Sequence, residues 1–519
     1  MATVTRREEV TVETDFPASL TCRCLLVSLA LAGALSLESC SAGPDFQRPG
    51  ISVPEQYRDE ASAPRTVASA VPGGESQALH LGQDVSGSWW ELFHCAALTA
   101  LVDAALRDSP TLAAAQAALR AAQERNLAQT GTLLPSVSGA LSRSWGPASL
   151  SSESLTTQQA ENTPYNAQLN LNYTLDLWGG LRRAAEQTRA QEDVQRFQLR
   201  ATYLSLSAGV VSSAILAASL TAQLDAQQRL IDFERKQLDT VRQQFEAGAA
   251  TGTDVATQEA QVAQSETLTG PLRLQLAQAQ DQIAAYVGHA ATQMSIPALE
   301  LDALTLPTNL PLSLPAALIE QRPDIRAAES VLHAQMAGLG VASAARLPNI
   351  TLQATAASAA GRLSQLFNPV NGAWAVANQA VQPIFDAGQL LHNQRAQKAL
   401  VDQAAAQWRQ TVVNAFQNVA DVLAALQNDA LTLQAALAEY VAAQRALFLA
   451  TEQYRLGGTS YLSVLAAQQA SQTSLMTLVR ARAARFEDTV ALFQALGGGW
   501  WNRQEGTASP PRLISSPFP

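Results

Sequence analysis

Between Tyr165 and Asp176 the chain reads YNAQLNLNYTLD, apolar and polar residues alternating over twelve positions without exception. Strand side chains point to opposite faces with period two, so Tyr165, Ala167, Leu169, Leu171, Tyr173 and Leu175 share one face. Asn166, Gln168, Asn170, Asn172, Thr174 and Asp176 share the other. A strand at 165–176 with one oily and one wet face suits first a half-buried soluble sheet, the commoner setting of a lone alternating run, and also a membrane barrel whose wet face lines water. A second strand, at 136–145, sets Val137, Gly139, Leu141 and Trp145 against Ser136, Ser138, Ala140, Ser142 and Ser144, with Arg143 as the misfit on the oily side. Two more strands are expected at 349–359 and 372–385. The last alternates poorly, with Gln379 and Pro383 on one face and Asn378 on the other.

Beyond Asp176 the period becomes helical. No proline occurs between Trp178 and Pro271, nor from Ile384 to Ser509, which predicts long helices at 178–246 and 387–456, each about 100 Å at 1.5 Å per residue. A helix over Leu98–Thr130, interrupted at Ser109-Pro110, ends before Pro135 because the residue preceding a proline avoids the α region. Every seventh residue of the first long helix is apolar: Tyr203, Val210, Ala217, Leu224, Ile231, Leu238 and Phe245. So are the positions 209 residues later, Val412, Val419, Leu426, Leu433, Tyr440, Leu447 and Tyr454. A sustained heptad supercoils helices left-handedly to keep the seam against a neighbour. An ordinary two-stranded coiled coil shares that seam but has no use for alternating strands.

The whole order of events recurs. Pro110 and Pro323, Leu133 and Arg346, Asp176 and Asp386, and Gly248 and Gly457 are pairs of equivalent landmarks 209 to 213 residues apart. The chain is a duplicated helix–strand–strand–long helix–helix unit, with repeats at 89–300 and 301–501 and turns at 248–254 and 457–463. If the oily strand faces meet lipid, its fold class is mainly α with a membrane β-barrel. Four strands cannot close a barrel, since even a small one needs about 8, and lipid forbids open edges. Several chains must therefore close it, three of them giving about 12 strands.

Composition narrows the function. The 519 residues are 47% apolar and only 6% aromatic, with a net charge of −10 and no basic run, which excludes nucleic acid as a partner. Arg23 precedes the apolar run Leu25–Leu37, too short to span a bilayer and followed by Cys40. Residues 1–39 thus read as a secretory signal with an over-long start, and Cys40, after Leu-Glu-Ser, as a candidate lipidation site or else a free thiol. Residues 40–88, rich in Pro, Ser and Ala, read as an extended segment, and 502–519 as a disordered tail. The five histidines, His80, His94, His289, His333 and His392, show no metal-ligand spacing, and neither a phosphate-binding G-x-x-x-x-G-K nor a G-x-S-x-G elbow occurs. No catalytic residue, metal or cofactor is expected.

Several stretches resemble one family: CSAGPDFQRP (40–49), SWWELF (88–93), YTLDLWGGLR (173–182), EQRPDIRAAE (320–329), PIFDAGQL (383–390) and LGGGW (496–500). They are similar to the TolC-type outer membrane factors, in the OprM/NodT-like lipoprotein branch, over Cys40 to about Trp501. The resemblance implies lipidated Cys40, with Ser41 agreeing with outer membrane sorting. It implies a homotrimer with a 12-stranded outer membrane barrel continuous with a periplasmic α-helical barrel. It also implies an exit duct for efflux, lined by Asn166, Gln168, Asn170, Asn172 and Thr174, and fed by an inner-membrane pump of the RND type through a periplasmic adaptor. A type I secretion duct and a structural envelope tether are the alternatives. Cys95 and Ala96 stand where the family favours Asp-Pro, and a lone cysteine there is expected to be small and buried.

The resemblance also places both turns at a periplasmic tip that gates the duct and docks the adaptor. Gly248 and Gly457 suit the left-handed conformation at a helix C-terminus, and Thr253 or Asp254 can cap the returning helix. Asp254 has a second reading, as a gate carboxylate accepting a hydrogen bond from Tyr454 of a neighbouring hairpin, since the equivalent place in the second repeat holds Ser463.

Overall fold

The computed structural model describes residues 41–57, 65–143 and 165–502. Cys40, the signal segment, Ser144 and Trp145 of the expected first strand, and nearly all of the expected tail lie outside them. The described chain comprises β1 (Ala78–Leu81), α1 (Ala96–Asp108), α2 (Pro110–Gly131), β2 (Ser136–Arg143), β3 (Tyr165–Leu175), α3 (Gly180–Glu246) and α4 (Gly252–Val287). Then follow β4 (Asn309–Leu312), α5 (Pro315–Gln321), α6 (Pro323–Ala344), β5 (Asn349–Ala360), β6 (Gly372–Val381), α7 (Gln389–Arg455) and α8 (Tyr461–Ala495). The duplication is visible in this order, and α3 and α7 have 67 residues each.

The chain forms two compact units. The first, Met1–Phe46, Leu127–Gln187 and Gln335–Ala399, holds the antiparallel sheet β2-β3-β5-β6. The second, Gln47–Asn126, Thr188–Ala334 and Leu400–Pro519, holds the helical core and a parallel pair of β1 with β4. That pair adds a strand, β1, to the segment 40–88, expected only to be extended. Four residues are too few to show a period.

The helical core is built on the heptad seam. Val210, Ala217 and Ile231 of α3 and Val412, Val419, Leu426 and Leu433 of α7 are buried, as the seven-residue repeat demands. Phe245, at the end of the seam, is exposed. Trp89, Phe93, Leu98 and Val102 fill the same core as Ile215, Leu310, Leu318, Trp408, Phe486 and Phe493. Each such side chain contributes about 1.5–3 kcal/mol by leaving water. One window of α3 has a mean hydropathy of 1.7, apolar enough to cross a membrane, but 61% of it is buried within the chain, so it is core. α1 and α2 part at Ser109, extended at ψ 123° ahead of Pro110. Cys95 is buried and free.

Candidate pore sheet and tip turns

The register decides which side chains share a face of the sheet. Ser136, Ser138 and Ser142 sit opposite Asn172, Asn170 and Asn166, while Val137, Gly139 and Leu141 sit opposite Leu171, Leu169 and Ala167. On β5, Thr355, Gln353 and Thr351 face Asn170, Asn172 and Thr174, and Ala356, Ala354 and Leu352 face Leu169, Leu171 and Tyr173. The pattern carries across four strands, because β6 puts Trp374 and Val376 opposite Ala356 and Ala354, and Gln379 opposite Thr351. Gln379 therefore belongs to the polar face, and Asn378, opposite Leu352, is the misfit of β6 on the apolar one.

Both faces are organised. On the polar side Asn170 Oδ1 accepts from Gln168 Nε2 and, at 3.2 Å, from Thr355 Oγ1, tying β3 to β5 by neutral groups. On the apolar side Leu169, Trp374 and Val376 are 57%, 81% and 70% exposed, a wide oily surface without cover in one chain. Arg143, the misfit of β2, lies at the strand end with its guanidinium 5.0 Å from the ring centre of Tyr165. That cation–π contact lets a charge sit at the rim of an apolar face.

Two strand ends differ from the expectation. β6 stops at Val381, four residues early, because Pro383 has no N–H for the ladder and Gln382 Nε2 turns to the carbonyls of Arg346 and Pro383. β3 stops at Leu175, so Asp176 leaves the polar face. Its carboxylate instead accepts from the N–H groups of Leu181 and Arg182, both at 2.9 Å, and starts α3. Asp386 does the same for α7, through Gly388 and Leu390 at 2.9 and 2.8 Å. These two bonds hold the Asp386 carboxyl below its ordinary range. They also explain why the helices begin at 180 and 389 rather than 178 and 387, since the turns need residues outside the helix for the cap.

At the other end of each long helix the turns are duplicates too. Gly248 and Gly457 have φ of 74° and 72°, where a side chain would be strained. The cap of α4 is Thr251, not Thr253 or Asp254. Asp254 is the third helical residue of a reciprocal box. Its Oδ2 accepts from Thr251 N–H and Oγ1, both at 2.8 Å, and Thr251 Oγ1 accepts from Asp254 N–H at 3.3 Å. The Thr251 N–H, then its hydroxyl, pull the Asp254 carboxyl below its ordinary range. In the second repeat Ser460 and Ser463 occupy these places, their hydroxyls 3.2 Å apart.

Within the protomer Asp254 and Tyr454 are not bonded. Tyr454 OH donates instead to Gln244 Oε1 at 3.4 Å, and its ring lies 5.3 Å from that of Tyr461. Tyr461 OH donates to Gln258 Oε1, and burial above all pushes its phenol up to about 12. Gln244, Thr251, Gln258 and Tyr461 are the tip residues that sequence reading missed, although T-x-x-D at 251–254 was a legible capping signature.

Residues 101–289 and 314–498 each match the profile of the outer membrane efflux protein family, one match per repeat. The chain belongs to this family. The toluene efflux pump outer membrane protein TtgC of Pseudomonas putida is 30% identical over 502 residues, covering 95% of this chain and 99% of TtgC. The pyoverdine export outer membrane protein OpmQ of Pseudomonas aeruginosa is 27% identical over 92% of this chain and 98% of its own. The solved structure of the channel CusC superposes with a TM-score of 0.77 at 26% identity, over 89% of this chain and all of CusC. The relatives are outer membrane proteins of efflux and export systems, and this outer membrane efflux protein shares the fold of the CusC channel.

The remaining motifs of this efflux protein serve architecture. Arg48 of the N-terminal segment binds Glu320 and, at 2.7 and 2.9 Å, both oxygens of Glu329. Arg322 Nη1 donates at 2.9 Å to Ala495 O at the end of α8 and pairs with Asp324. The E-Q-R-P-D-I-R-A-A-E stretch is thus a clamp on its surroundings. In LGGGW, a Cβ on Gly499 would come within 2.5 Å of the Ser86 and Val85 carbonyls.

Proposed function

We propose that three copies of this efflux protein close their sheets into one 12-stranded outer membrane barrel, the exit of a duct that receives cargo from an RND-type pump through a periplasmic adaptor. The observation that carries the reading is the four-stranded open sheet, polar on one face and exposed and apolar on the other, whose edge strands β2 and β6 pair on one side only among the described residues. In lipid such edges need partners, and identical chains supply them. Asn166, Gln168, Asn170, Asn172 and Thr174 then line the lumen. Their neutral amides and hydroxyls discriminate little, so the choice of cargo rests with the pump. The relatives fit this, being described for toluene and for pyoverdine.

Cys40 anchors the barrel foot in this reading. The residues after it are already tied down beside the sheet. Ala42 N–H donates to Trp178 O at 2.8 Å, and Arg183 Nη2 meets Asp45 Oδ1 at 2.5 Å. Two acyl chains on Cys40, at about 0.8 kcal/mol per buried methylene, would hold it in the inner leaflet. Cys40→Ser is expected to lose labelled palmitate while the barrel still inserts. Equal labelling of variant and parent would refute the anchor.

The tip closes when Asp254 of one protomer accepts from Tyr454 of the next, Oδ1 being the oxygen that Thr251 leaves unused. Leu456 and Leu462, both largely exposed, would dock the adaptor beside it, next to Gly248, Thr253, Gly457 and Ser463. Asp254→Ser keeps a hydroxyl within reach of Thr251, as Ser463 has for Ser460, and removes the charge. Either Asp254→Ser or Tyr454→Phe is expected to raise the open fraction about tenfold, the worth of one charge-assisted hydrogen bond, and to admit vancomycin. The double variant should add little, and strictly additive effects would show that the two residues do not act as a pair.

A further inference from the structure

Glu234 of α3 is fully buried. Its Oε1 accepts from Gln261 Nε2 of α4 at 3.3 Å and from Gln468 Nε2 of α8 at 3.4 Å, and Gln258 Nε2 donates to its backbone oxygen at 3.1 Å. Its Oε2 has no partner. The duplication supplies a control, because the residues 209 positions later, Ala443, Ala467 and Ala470, replace Glu234, Gln258 and Gln261 by alanine. Ala443 is buried as well. The shared packing therefore does without polar groups here, and only the first repeat keeps a carboxyl whose burial is costly.

The same network leads to the tip. Gln258 also accepts from Tyr461 OH, Tyr461 lies against Tyr454, and Tyr454 reaches Gln244. Glu234 itself stands 12 residues before the end of α3 at Glu246, about 18 Å along the helix. The nearby charges are engaged elsewhere: Arg235 pairs with Glu266, Arg242 with Glu259, and Asp232 accepts from Gln228. From α8, Tyr461 is the titratable group that feels Glu234. α7 meets α8 where Gln444 Nε2 donates to Ser471 Oγ, and it adds no hydrogen bond to Glu234 among the described residues.

We propose that Glu234 is the positioning residue of the tip gate, holding α8 against the α3–α4 hairpin when its carboxyl is protonated and releasing it when ionised. The inference rests on the gate described above. The dry, closed packing favours the neutral acid, whose Oε1 still accepts from Gln261 and Gln468 while the unpartnered Oε2 carries the proton. Any separation of α8 brings water to Oε2 and favours the carboxylate. Burial holds the group above the ordinary carboxylate range, and the nearby Ser265 hydroxyl and the hydrogen bond from Gln261 offset part of that. For an acid raised in the closed state, closure is favoured below that pKa and weakens as pH rises through it.

The test compares the full-length protein with Glu234→Gln in planar bilayers from about pH 5 to pH 8, with hydrogen exchange of the first turns of α8 followed under the same conditions. In the parent, open fraction and exchange, the latter taken relative to the intrinsic base-catalysed rate at each pH, should both rise with pH, by about fivefold or more. In Glu234→Gln both should stay lower and lose most of that slope. Glu487 and Asp488, further along α8, are also raised by burial and by Asp429, but they are common to both proteins, so the difference belongs to Glu234. Gln468→Ala keeps the carboxyl and removes a hydrogen bond to its charged form, and should move the transition to higher pH. An unchanged pH slope in Glu234→Gln, or an unmoved transition in Gln468→Ala, would overturn the proposal. Conductance that ignores Asp254→Ser and Tyr454→Phe would refute the gate and not the latch, which exchange measures by itself.

Discussion

Leu171→Arg is expected to leave the protein outside the membrane, as monomers, while Asn170→Arg one residue away inserts and assembles. Leu171 sits in the middle of β3 on the apolar face, between Val137 and Ala354, and Asn170 sits on the polar face, between Ser138 and Thr355. Arginine on the lipid face of a barrel costs about 2–4 kcal/mol at the midplane, and the proposed trimer would carry it three times, about 6–12 kcal/mol in all. In the lumen the same side chain stays in water, and its three positive charges should turn the pore toward anions. Heat-modifiable trimer bands in outer membrane fractions read the first effect, and reversal potentials in a salt gradient read the second. Equal assembly of the two variants would show that the faces are wrongly assigned.

Trp89→Ala is expected to have the largest effect on the helical core. Trp89 is 1% exposed, stacks on Phe493 at 5.3 Å, and meets Trp90 and Phe93 edge-on at 5.9 and 6.4 Å. It joins the chain ahead of α1 to the far end of α8, so no local rearrangement can fill its space. Truncating a buried tryptophan costs about 3–5 kcal/mol. Denaturant unfolding of the detergent-solubilised protein should show that loss, whereas Leu81→Ala, at a side chain 62% exposed, should change stability by less than about 0.5 kcal/mol. A loss below about 1 kcal/mol in Trp89→Ala would mean that this aromatic cluster does not hold the core.

Where a period ran for many residues, the sequence was a good guide. Alternation placed β3 to within one residue, and the heptad picked out Val210, Ala217, Val412, Val419 and Leu426, all buried. It was blind where side chains act on the backbone. Asp176 continues the alternation on paper, yet its carboxylate caps α3, because a helix start leaves N–H groups to satisfy and the period does not record that need. β1 and β4 escaped notice because four residues show no period. At the tips the 209-residue offset correctly aligned Asp254 with Ser463, but the capping residues are Thr251 and Ser460, three positions earlier. Glu234 was invisible, since a glutamate among glutamines and arginines reads as a solvated helix face until the neighbouring helices are in place.

The duct is tested most directly by single-channel recording of the purified protein in planar bilayers. A duct gives discrete, long-lived conductance steps, with ion selectivity that Asn170→Arg shifts toward anions. Membrane insertion without any conductance would contradict it, and would leave a structural tether between envelope layers rather than a duct.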